Sequence, residues 1–360
     1  MKFLLKKKIL IEFLTSISLI ILGINFIAFS AFQQGDDDSS IFKSILRFVV
    51  AGLLFLIIVI KNKVNYFYLI FFPLIAIFFL LNSNVFTLNF LYILLIVYAF
   101  SGFDYDKILK KFFYIYIAMC IVHLVFLKTG YIVNTYFEYD GRFRASYGFG
   151  NVNKLGMMYF NFGLISLYVL LNNPRKYELF LSIFSIVISV FFIVASDSRT
   201  SLIVFLLVSF IYFINKFKIF SKILIYFYKY IFYFCIVITL VVSSYIGRYY
   251  NELLSNRPEM FGNYFTELMG FPYILFGYYG SPEYPVDNSY LVLMGAIGPI
   301  LFLLIFIIIL FFSKKSNISS AHVPIFFGLL LFGIFENNLL RVELLLPIVL
   351  FNYLLPRNRA

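Results

Sequence analysis

Apolar blocks of about 15–24 residues with almost no charge recur along the whole chain, and they constrain its fold more than any other feature. As an α-helix, about 20 such residues cross the roughly 30 Å of hydrocarbon in a bilayer. The 360-residue chain is 62% hydrophobic and only 13% charged, whereas a soluble domain is about 45–50% apolar and about 25% charged. These proportions exclude a soluble enzyme, a nucleic-acid-binding module and a disulfide scaffold. They predict an all-α integral membrane protein.

The apolar blocks divide into about twelve candidate transmembrane helices. Pro73 lies inside the third, where neighbouring helices can satisfy the carbonyl group that a proline leaves without a donor. The eleventh block is short and the twelfth contains Arg341 and Glu343, so these two blocks are either full spans or a re-entrant hairpin. We predict a single polytopic membrane domain over residues 1–360, with helices at approximately 9–32, 44–60, 66–81, 85–103, 112–127, 155–171, 179–196, 200–215, 223–246, 289–312, 322–335 and 339–355.

Basic residues indicate the orientation of these helices, because cytoplasmic loops carry an excess of Lys and Arg. With the N and C termini both placed in the cytoplasm, 19 of the 29 basic residues and only 4 of the 17 acidic residues fall on the cytoplasmic side. The formal net charge of +12 therefore reflects topology and contact with anionic lipids, and it does not indicate a nucleic-acid partner. Two predicted external loops are long, 128–154 and 247–288, and extended polar loops on one face place the function there.

The first long loop carries two arginines, Arg142 and Arg144, and runs through closely spaced glycines and Asn153 into the sixth predicted helix. Glycine lets a backbone approach a ligand closely and adopt positive φ angles. The pattern fits a ligand-binding loop, and it also fits a turn-rich loop without a ligand.

Arg199 lies between the seventh and eighth predicted helices, at the outer membrane boundary, beside Asp197 and several hydroxyl side chains. An arginine at this depth is costly, and such residues usually face a polar cavity. The alternative interpretation is a helix cap whose arginine extends towards water and pairs with Asp197.

The second long loop contains three candidate segments, which are Asn256-Arg257, Phe276-Gly277 and Asp287 to Tyr290. Short helices are expected within this loop, which places Asp287 at the mouth of the helical bundle. Asp-Asn-Ser is also an ordinary N-cap sequence for the tenth helix, and this is the alternative interpretation of Asp287.

Cysteine and histidine do not form a metal or redox motif in this sequence. Cys120, Cys235 and His123 lie inside apolar blocks, and His322 lies at the predicted cytoplasmic boundary. Neither a Walker motif nor a dinucleotide-binding fingerprint is present. We therefore expect neither a metal ion nor a cofactor.

Taken in order, the polar segments resemble the O-antigen polymerase and O-antigen ligase family, which includes the Wzy-type polymerases of capsule, exopolysaccharide and O-antigen. The resemblance covers about residues 140–300, and it depends on the order of the motifs, their common external side and the predicted topology. In ligases of this family a histidine commonly stands at the position of Asp287, so the aspartate favours a polymerase. The motifs are Arg144-x3-Gly148-Phe149 with Asn153-x2-Gly156, Ser198-Arg199-Thr200, Asn256-Arg257, Phe276-Gly277 and Asp287-Asn288-Ser289-Tyr290-Leu291.

The resemblance implies a multi-pass glycosyltransferase of the bacterial cytoplasmic membrane, whose donor and acceptor are both undecaprenyl-diphosphate-linked oligosaccharides. It implies transfer of a growing glycan to the acceptor sugar of another lipid-linked unit at the external face, alongside a flippase and a chain-length regulator. The expected catalytic residues are Asp287, as the base, with Arg144, Arg199 and Arg257. The expected substrate-binding residues are Arg142, Asn153, Gly277, Asn288 and Tyr290.

Arginine also suits this chemistry on physical grounds. A lipid diphosphate gains charge as the glycosidic bond breaks, and a guanidinium group stays protonated and binds phosphate oxygens in a bidentate manner. One such donor is worth about 3–4 kcal/mol in the transition state. Tyrosines of the external loops offer faces that stack on sugars, namely Tyr139, Tyr147, Tyr278, Tyr279, Tyr284 and Tyr290.

Three other functions remain open at this point. A ligase of the same family would attach finished polymer to lipid A core, to a wall polymer or to a protein. A flippase or exporter of lipid-linked oligosaccharide would carry arginines and acids along a cavity through the membrane, whereas the candidate charges here gather at one predicted surface. A scaffold or sensor is the remaining alternative.

Overall fold

The computed structural model describes residues 2–27, 41–61, 66–139, 142–172, 174–244, 257–279, 286–313 and 319–354. Regular structure in these residues is helical apart from one two-stranded hairpin. The elements are α1 (Lys2–Asn25), α2 (Ile41–Lys61), α3 (Tyr66–Asn82), α4 (Val85–Phe100), α5 (Tyr105–Thr129), β1 (Tyr136–Tyr139), β2 (Arg142–Ala145), α6 (Val152–Leu171), α7 (Lys176–Ala195), α8 (Arg199–Ile214), α9 (Lys218–Val242), α10 (Arg257–Leu268), α11 (Tyr273–Phe276), α12 (Ser289–Ile297), α13 (Pro299–Ser313), α14 (Val323–Phe335) and α15 (Leu346–Leu354).

Five helices of the described chain are long and apolar enough to cross a membrane, and they lie within α1, α2, α5, α6 and α7. A sixth is added if α9, which is bent by 60° between Lys218–Tyr228 and Tyr230–Val242, forms one span. Shorter apolar helices of 10–17 residues occur in α3, α4, α8 and at Ser320–Phe335. The molecule is therefore an all-α, multi-pass membrane protein, while the count of twelve spans and the side of the termini stay predictions.

Large apolar side chains lie on the outside of several helices. Phe48 of α2 is 78% exposed, and Ile70 and Leu80 of α3 are 66% and 77% exposed. Extended apolar surface of this kind is unfavourable in water and marks contact with a partner or a membrane. Together with the length of the apolar helices, it indicates that these faces contact lipid.

The first compact unit comprises residues 1–62, 103–218 and 343–346. Its central helix is α6, in which nearly every side chain from Val152 to Val169 is buried. Gly163 faces α8, where a methyl group added to it would come within 2.5 Å of the Phe205 ring. Gly156, two turns earlier, faces the Ser198 hydroxyl in the same way. Small residues at these positions let α6 and α8 approach closely.

The hairpin β1–β2 lies in the first long loop and pairs Tyr136 with Ala145 and Tyr139 with Arg142 in antiparallel register. The sequence predicts an irregular loop here. Each strand has only four residues, and the exposed side chains of Tyr136 and Phe143 do not give the alternation of a half-buried strand. Cross-strand pairing nevertheless gives the arginines of this loop defined backbone positions.

The second compact unit comprises residues 63–102, 219–342 and 347–360. Its central helix is α12, whose side chains are all buried. α12 ends before Gly298, which has a φ of +78°, and Pro299 begins α13. Proline has no N–H group and fits the first turn of a helix, so the Gly-Pro pair separates two helices. The predicted tenth span, 289–312, is therefore a broken helix.

At the break between α12 and α13, the last carbonyl groups of α12 lack hydrogen-bond donors within the helix. Other segments donate hydrogen bonds to them. The Tyr278 N–H donates to the carbonyl of Gly295 over 2.7 Å. The side-chain amide of Asn82 donates to the carbonyl of Ala296 over 3.0 Å, and the Thr87 hydroxyl donates to the same carbonyl. These bonds fix the break in place, because a buried carbonyl without a donor is costly.

The predicted twelfth span, 339–355, is not one continuous helix. A 3₁₀ turn at Val342–Leu344 is followed by Leu345 with a φ of +61°, and only then does α15 begin. Within this turn the buried Glu343 carboxylate accepts hydrogen bonds from Nε of Arg47 over 3.1 Å and from Nη2 over 2.5 Å. An arginine of α2 therefore supplies the charge partner that a buried carboxylate requires.

Candidate functional site

Each compact unit holds one group of the predicted site residues. In the first unit, Arg144, Asn153 and Arg199 lie beside the turn between α7 and α8. In the second unit, most of the residues lie at the N-terminal end of α12, whereas Gly277 lies against its C-terminal end. The first comprises Arg142, Arg144, Asn153 and Arg199, and the second comprises Arg257, Gly277, Asp287, Asn288 and Tyr290.

Arg144 connects three segments of the first unit. Its Nε donates to the backbone carbonyl of Ser196 over 3.3 Å, and its Nη2 donates to Oδ1 of Asn153 over 3.2 Å. The side chain is half-buried. Arg142, two residues earlier, pairs through its backbone with Tyr139. The structure thus brings Arg144 and Asn153 together beside the turn that precedes Arg199.

Arg199 is the first residue of α8, and its Nε lies 3.2 Å from Oδ1 of Asp197. The two side chains are 65% and 34% exposed, and an ion pair in water contributes only about 0–1 kcal/mol to stability. Asp197 has a φ of +48°, in the left-handed region that aspartate tolerates better than most residues. The pair with Asp197 that the alternative interpretation predicts is present, whereas the N-cap residue Ser198 makes no side-chain capping hydrogen bond. The guanidinium group lies at the surface.

His123 has a packing role in the first unit. Its Nε2 lies 2.8 Å from the carbonyl oxygen of Tyr147, so this nitrogen donates, and its Nδ1 then accepts from the Tyr159 hydroxyl over 2.6 Å. The bonds hold the turn that leads into α6. Cys120 and Cys235 are both buried and unbridged. Among the described residues, no three His, Cys, Asp or Glu side chains lie close enough to hold a metal ion.

Arg257 of α10 lies between two carboxylates of the second unit. Its Nη2 donates to Oε1 of Glu336 over 3.2 Å and lies 3.9 Å from Oδ2 of Asp287. The Glu336 side chain is 3% exposed, whereas that of Asp287 is 40% exposed. We name Arg257, Asp287 and Glu336 the Arg257 cluster. One guanidinium group thus contacts a carboxylate closed to solvent and another that solvent reaches.

Asn288 is the N-cap residue of α12. Its Oδ1 accepts hydrogen bonds from the N–H groups of Tyr290 and Leu291, each over 2.9 Å. Its Nδ2 donates to the carbonyl of Ile334 over 2.6 Å and lies 3.2 Å from the Thr239 hydroxyl. The cap is therefore Asn288, and the neighbouring carboxylate is not used for capping. Asn288 itself is fully buried and has a structural role here.

Ser289 joins the start of α12 to the turn at Glu336–Asn338, which we call the 336–338 turn. Its hydroxyl donates to the backbone carbonyl of Glu336 over 2.7 Å. The same oxygen accepts from the backbone N–H of Asn338 over 3.0 Å. Because Asp287 precedes Ser289 by two residues, this clamp sets the position of the turn relative to the carboxylate of Asp287.

Tyr290 and Gly277 have packing roles in the structure. Tyr290 is fully buried, and its hydroxyl donates to the carbonyl of Leu330 over 2.9 Å. Stacking of its ring on a sugar, as predicted, does not fit this position, because α12 is enclosed on every side. Gly277 has a φ of +80°, and a Cβ there would lie 3.0 Å from the nitrogen of Gly298. Glycine is required for this close backbone approach.

The loop tyrosines divide into packed and exposed side chains. Tyr278 packs between Tyr264 and Tyr273, and its hydroxyl donates to Glu267 over 3.0 Å. Burial raises the pKa of the Tyr264 phenol well above its ordinary value, so this group stays protonated. Tyr279 is 43% exposed and keeps a face towards solvent. Tyr284 and Asn256 lie outside the described residues.

The 336–338 turn is the part of the site that the sequence does not reveal by motif. We predict it as a tight connection between two apolar blocks. The structure places Glu336 against Arg257, 79 residues earlier, and Asn338 against Ser289, 49 residues earlier. One signal is present in the sequence: Glu-Asn-Asn is a rare polar group in a strongly apolar region, and such groups usually mark functional positions in membrane proteins.

The geometry of the second unit suits proton transfer and anion binding, because it sets an accessible carboxylate beside a guanidinium group held by a second carboxylate. Compared with protein-family models, curated proteins and solved structures, the chain gives no match. The family named from the sequence motifs therefore stays a prediction.

Proposed function

We propose that the chain is a Wzy-type polysaccharide polymerase, a glycosyltransferase of the bacterial cytoplasmic membrane. It joins the glycan on one undecaprenyl diphosphate to the acceptor sugar of another lipid-linked repeat unit at the external face. The observation that supports this proposal best is the Arg257 cluster, in which one guanidinium group contacts a buried and an accessible carboxylate. A flippase and a chain-length regulator are the expected partners.

Asp287 is the general base of the proposed reaction. Its side chain is 40% exposed, so an acceptor hydroxyl can reach it, whereas Glu336 is only 3% exposed. The Asp287 carboxylate takes the proton of the acceptor hydroxyl as the hydroxyl oxygen bonds to the anomeric carbon of the donor sugar. The bond between that carbon and the diphosphate oxygen breaks, and its electron pair leaves with undecaprenyl diphosphate.

Arginine side chains stabilise the negative charge on the departing diphosphate. The contact with Glu336 restrains Arg257 before substrate binds, so less conformational freedom is lost when the guanidinium group meets phosphate oxygens. Arg144 is restrained in a similar way by Ser196 and Asn153, and Arg199 is paired only at the surface. We propose that these two arginines of the first unit also bind phosphate oxygens of a lipid-linked substrate.

The proposal includes twelve membrane spans with both termini in the cytoplasm. The long helices and α9 supply six of these spans, and the shorter apolar helices supply four more. The broken helix α12–α13 and the segment that ends in α15 supply the last two. This arrangement sets hairpin β1–β2 and α10 on the external side, where lipid-linked units await polymerisation.

Deletion of the gene, followed by gel analysis of the surface glycan, tests the proposal. We expect the deletion strain to carry a single repeat unit on its acceptor, and plasmid-borne wild-type protein to restore the polymer. Long polymer that stays on the lipid carrier would instead indicate a ligase. Lipid-linked units that accumulate on the cytoplasmic side would indicate a flippase, and either of these results would contradict the proposed polymerase.

A further inference from the structure

Arg341 follows the 336–338 turn and is oriented by it. Its Nε donates to the backbone carbonyl of Asn337 over 2.9 Å, and its backbone N–H donates to the carbonyl of Asn338 over 3.1 Å. The side chain is half-buried. Within the described residues, Nη1 and Nη2 of this guanidinium group make no hydrogen bond or ion pair. The turn therefore fixes the direction of the guanidinium group and leaves its two terminal nitrogens unused.

The side chains of Asn337 and Asn338 in the same turn also have unused hydrogen-bonding capacity. Nδ2 of Asn338 and Oδ1 of Asn337 are buried, and neither has a hydrogen-bond partner among the described residues. Buried polar atoms normally find partners, so atoms of this kind call for a ligand or a water molecule. Nδ2 is a donor, as are the terminal nitrogens of Arg341, and Oδ1 is an acceptor.

Arg341 and Arg257 differ in how far neighbouring carboxylates compensate their charge. Two carboxylates compensate Arg257, since Glu336 and Asp287 both lie within 4.0 Å of its Nη2. Arg341 forms no ion pair with a described carboxylate. A half-buried guanidinium group of this kind favours an anion, and planar bidentate contact with phosphate oxygens suits it best.

We propose that Arg341 and the 336–338 turn bind the diphosphate group of a lipid-linked glycan, with Arg341 as the residue that contacts phosphate oxygens. This inference rests on the proposed function and names residues that hold its donor substrate. Phosphate oxygens accept from Nη1 and Nη2 of Arg341 and from Nδ2 of Asn338. A hydroxyl of the attached sugar donates to Oδ1 of Asn337, so one ligand satisfies both kinds of unused atom.

A phospholipid headgroup offers the same phosphate chemistry, so the experiment separates the two sources. Purified full-length protein is placed in nanodiscs of phosphatidylcholine and titrated with undecaprenyl diphosphate or undecaprenyl phosphate, with native mass spectrometry as the readout. A second set of nanodiscs contains phosphatidylglycerol in addition. Three variants are compared with the wild type. Arg341→Gln keeps a donor that can reach the Asn337 carbonyl, and Arg341→Lys keeps the charge. Arg175→Ala is the matched control, because it removes an arginine from an exposed position.

We expect Arg341→Gln to weaken undecaprenyl diphosphate binding about 10- to 100-fold, the effect of losing charge-assisted hydrogen bonds. Arg341→Lys should recover only part of this loss, because an ammonium group lacks the bidentate fork. Arg175→Ala should bind as the wild type does. Wild-type affinity for undecaprenyl diphosphate in Arg341→Gln would overturn the inference. An Arg341→Gln protein that loses bound phosphatidylglycerol but still binds undecaprenyl diphosphate normally would overturn the inference as well. That result would show that Arg341 contacts a phospholipid headgroup.

The outcome is distinguishable from failure of the proposed function. If the wild-type protein binds undecaprenyl diphosphate through Arg341 but forms no polymer from lipid-linked units, the polymerase proposal fails and this inference stands. If the wild-type protein forms polymer and Arg341→Gln binds the diphosphate normally, this inference alone fails.

Discussion

The guanidinium group of Arg257 lies 3.2 Å from the carboxylate of Glu336, although 79 positions separate the two residues in the chain. The same Nη2 atom lies 3.9 Å from the carboxylate of Asp287, which is far more exposed than that of Glu336. The two carboxylates therefore differ in their access to solvent and to a substrate. We infer that Glu336 positions Arg257 and that Asp287 meets the substrate.

Glu336→Ala should lower both stability and activity, because it removes the buried partner of Arg257. Loss of a hydrogen bond to a charged group costs about 1.5–3 kcal/mol, and a displaced guanidinium group should slow polymer formation about 100-fold. Glu336→Asp should recover part of the rate. Thermal unfolding in detergent and initial rates measure the two effects, with Glu138→Gln on the exposed strand β1 as control. A Glu336→Ala protein with wild-type unfolding temperature and rate would exclude this role.

Arg199→Ala should change activity much more than stability. The pair with Asp197 is exposed, so its removal should alter the free energy of unfolding by at most about 1 kcal/mol. The loss of one donor to the diphosphate should reduce kcat about 100-fold. Arg199→Lys should also be poor, because a point charge lacks the bidentate geometry. A fully active Arg199→Lys protein would show that the residue is structural.

Glu343 and Arg47 should show strong coupling in a double-mutant cycle. Glu343→Leu removes the carboxylate that accepts hydrogen bonds from Nε and Nη2 of Arg47, and breaking a buried ion pair costs about 3–5 kcal/mol. The double replacement Arg47→Met with Glu343→Leu should restore part of the stability, since it removes both charges of this pair but leaves the buried Lys43, which also interacts with Glu343. Thermal unfolding of the four proteins gives the coupling. Additive losses in the double variant would contradict a direct interaction.

Gly163→Ala should destabilise the packing of α6 against α8. The added methyl group would come within 2.5 Å of the Phe205 ring, and overpacking of this kind typically costs about 1–3 kcal/mol. Gly52→Ala is the matched control, because no atom lies within 4 Å of a Cβ at that glycine. Equal unfolding temperatures for the two variants would show that α6 and α8 adjust without cost.

Contacts between residues close in the chain follow from the sequence more readily than distant ones. The pair of Asp197 and Arg199 is separated by two positions, and a helix-capping interpretation predicts it directly. The contact of Arg257 with Glu336 depends on tertiary packing that no local pattern encodes. Tyr290 illustrates the same limit. Its position at the start of a helix predicts an accessible ring, but side chains distant in the sequence bury it completely.

The membrane character of the chain is evident from its apolar blocks, because hydrophobic length is a local property. The break in the predicted tenth span is less evident, although Gly298-Pro299 marks it in the sequence. Hydrophobicity stays high across this pair, since both flanking segments are strongly apolar, and so it does not reveal the break. The backbone geometry of glycine and proline, and not polarity, divides this segment into α12 and α13.

The role of Asp287 as the base of a polymerisation reaction on lipid diphosphates is central to the proposed function. Its most direct measurement is the rate of polymer formation from purified lipid-linked repeat units in proteoliposomes that contain only this protein. We expect the wild-type protein and Glu138→Gln to give a ladder of products, and Asp287→Asn to be at least about 100-fold slower because a general base is lost. Polymer formation by Asp287→Asn at the wild-type rate would contradict this role.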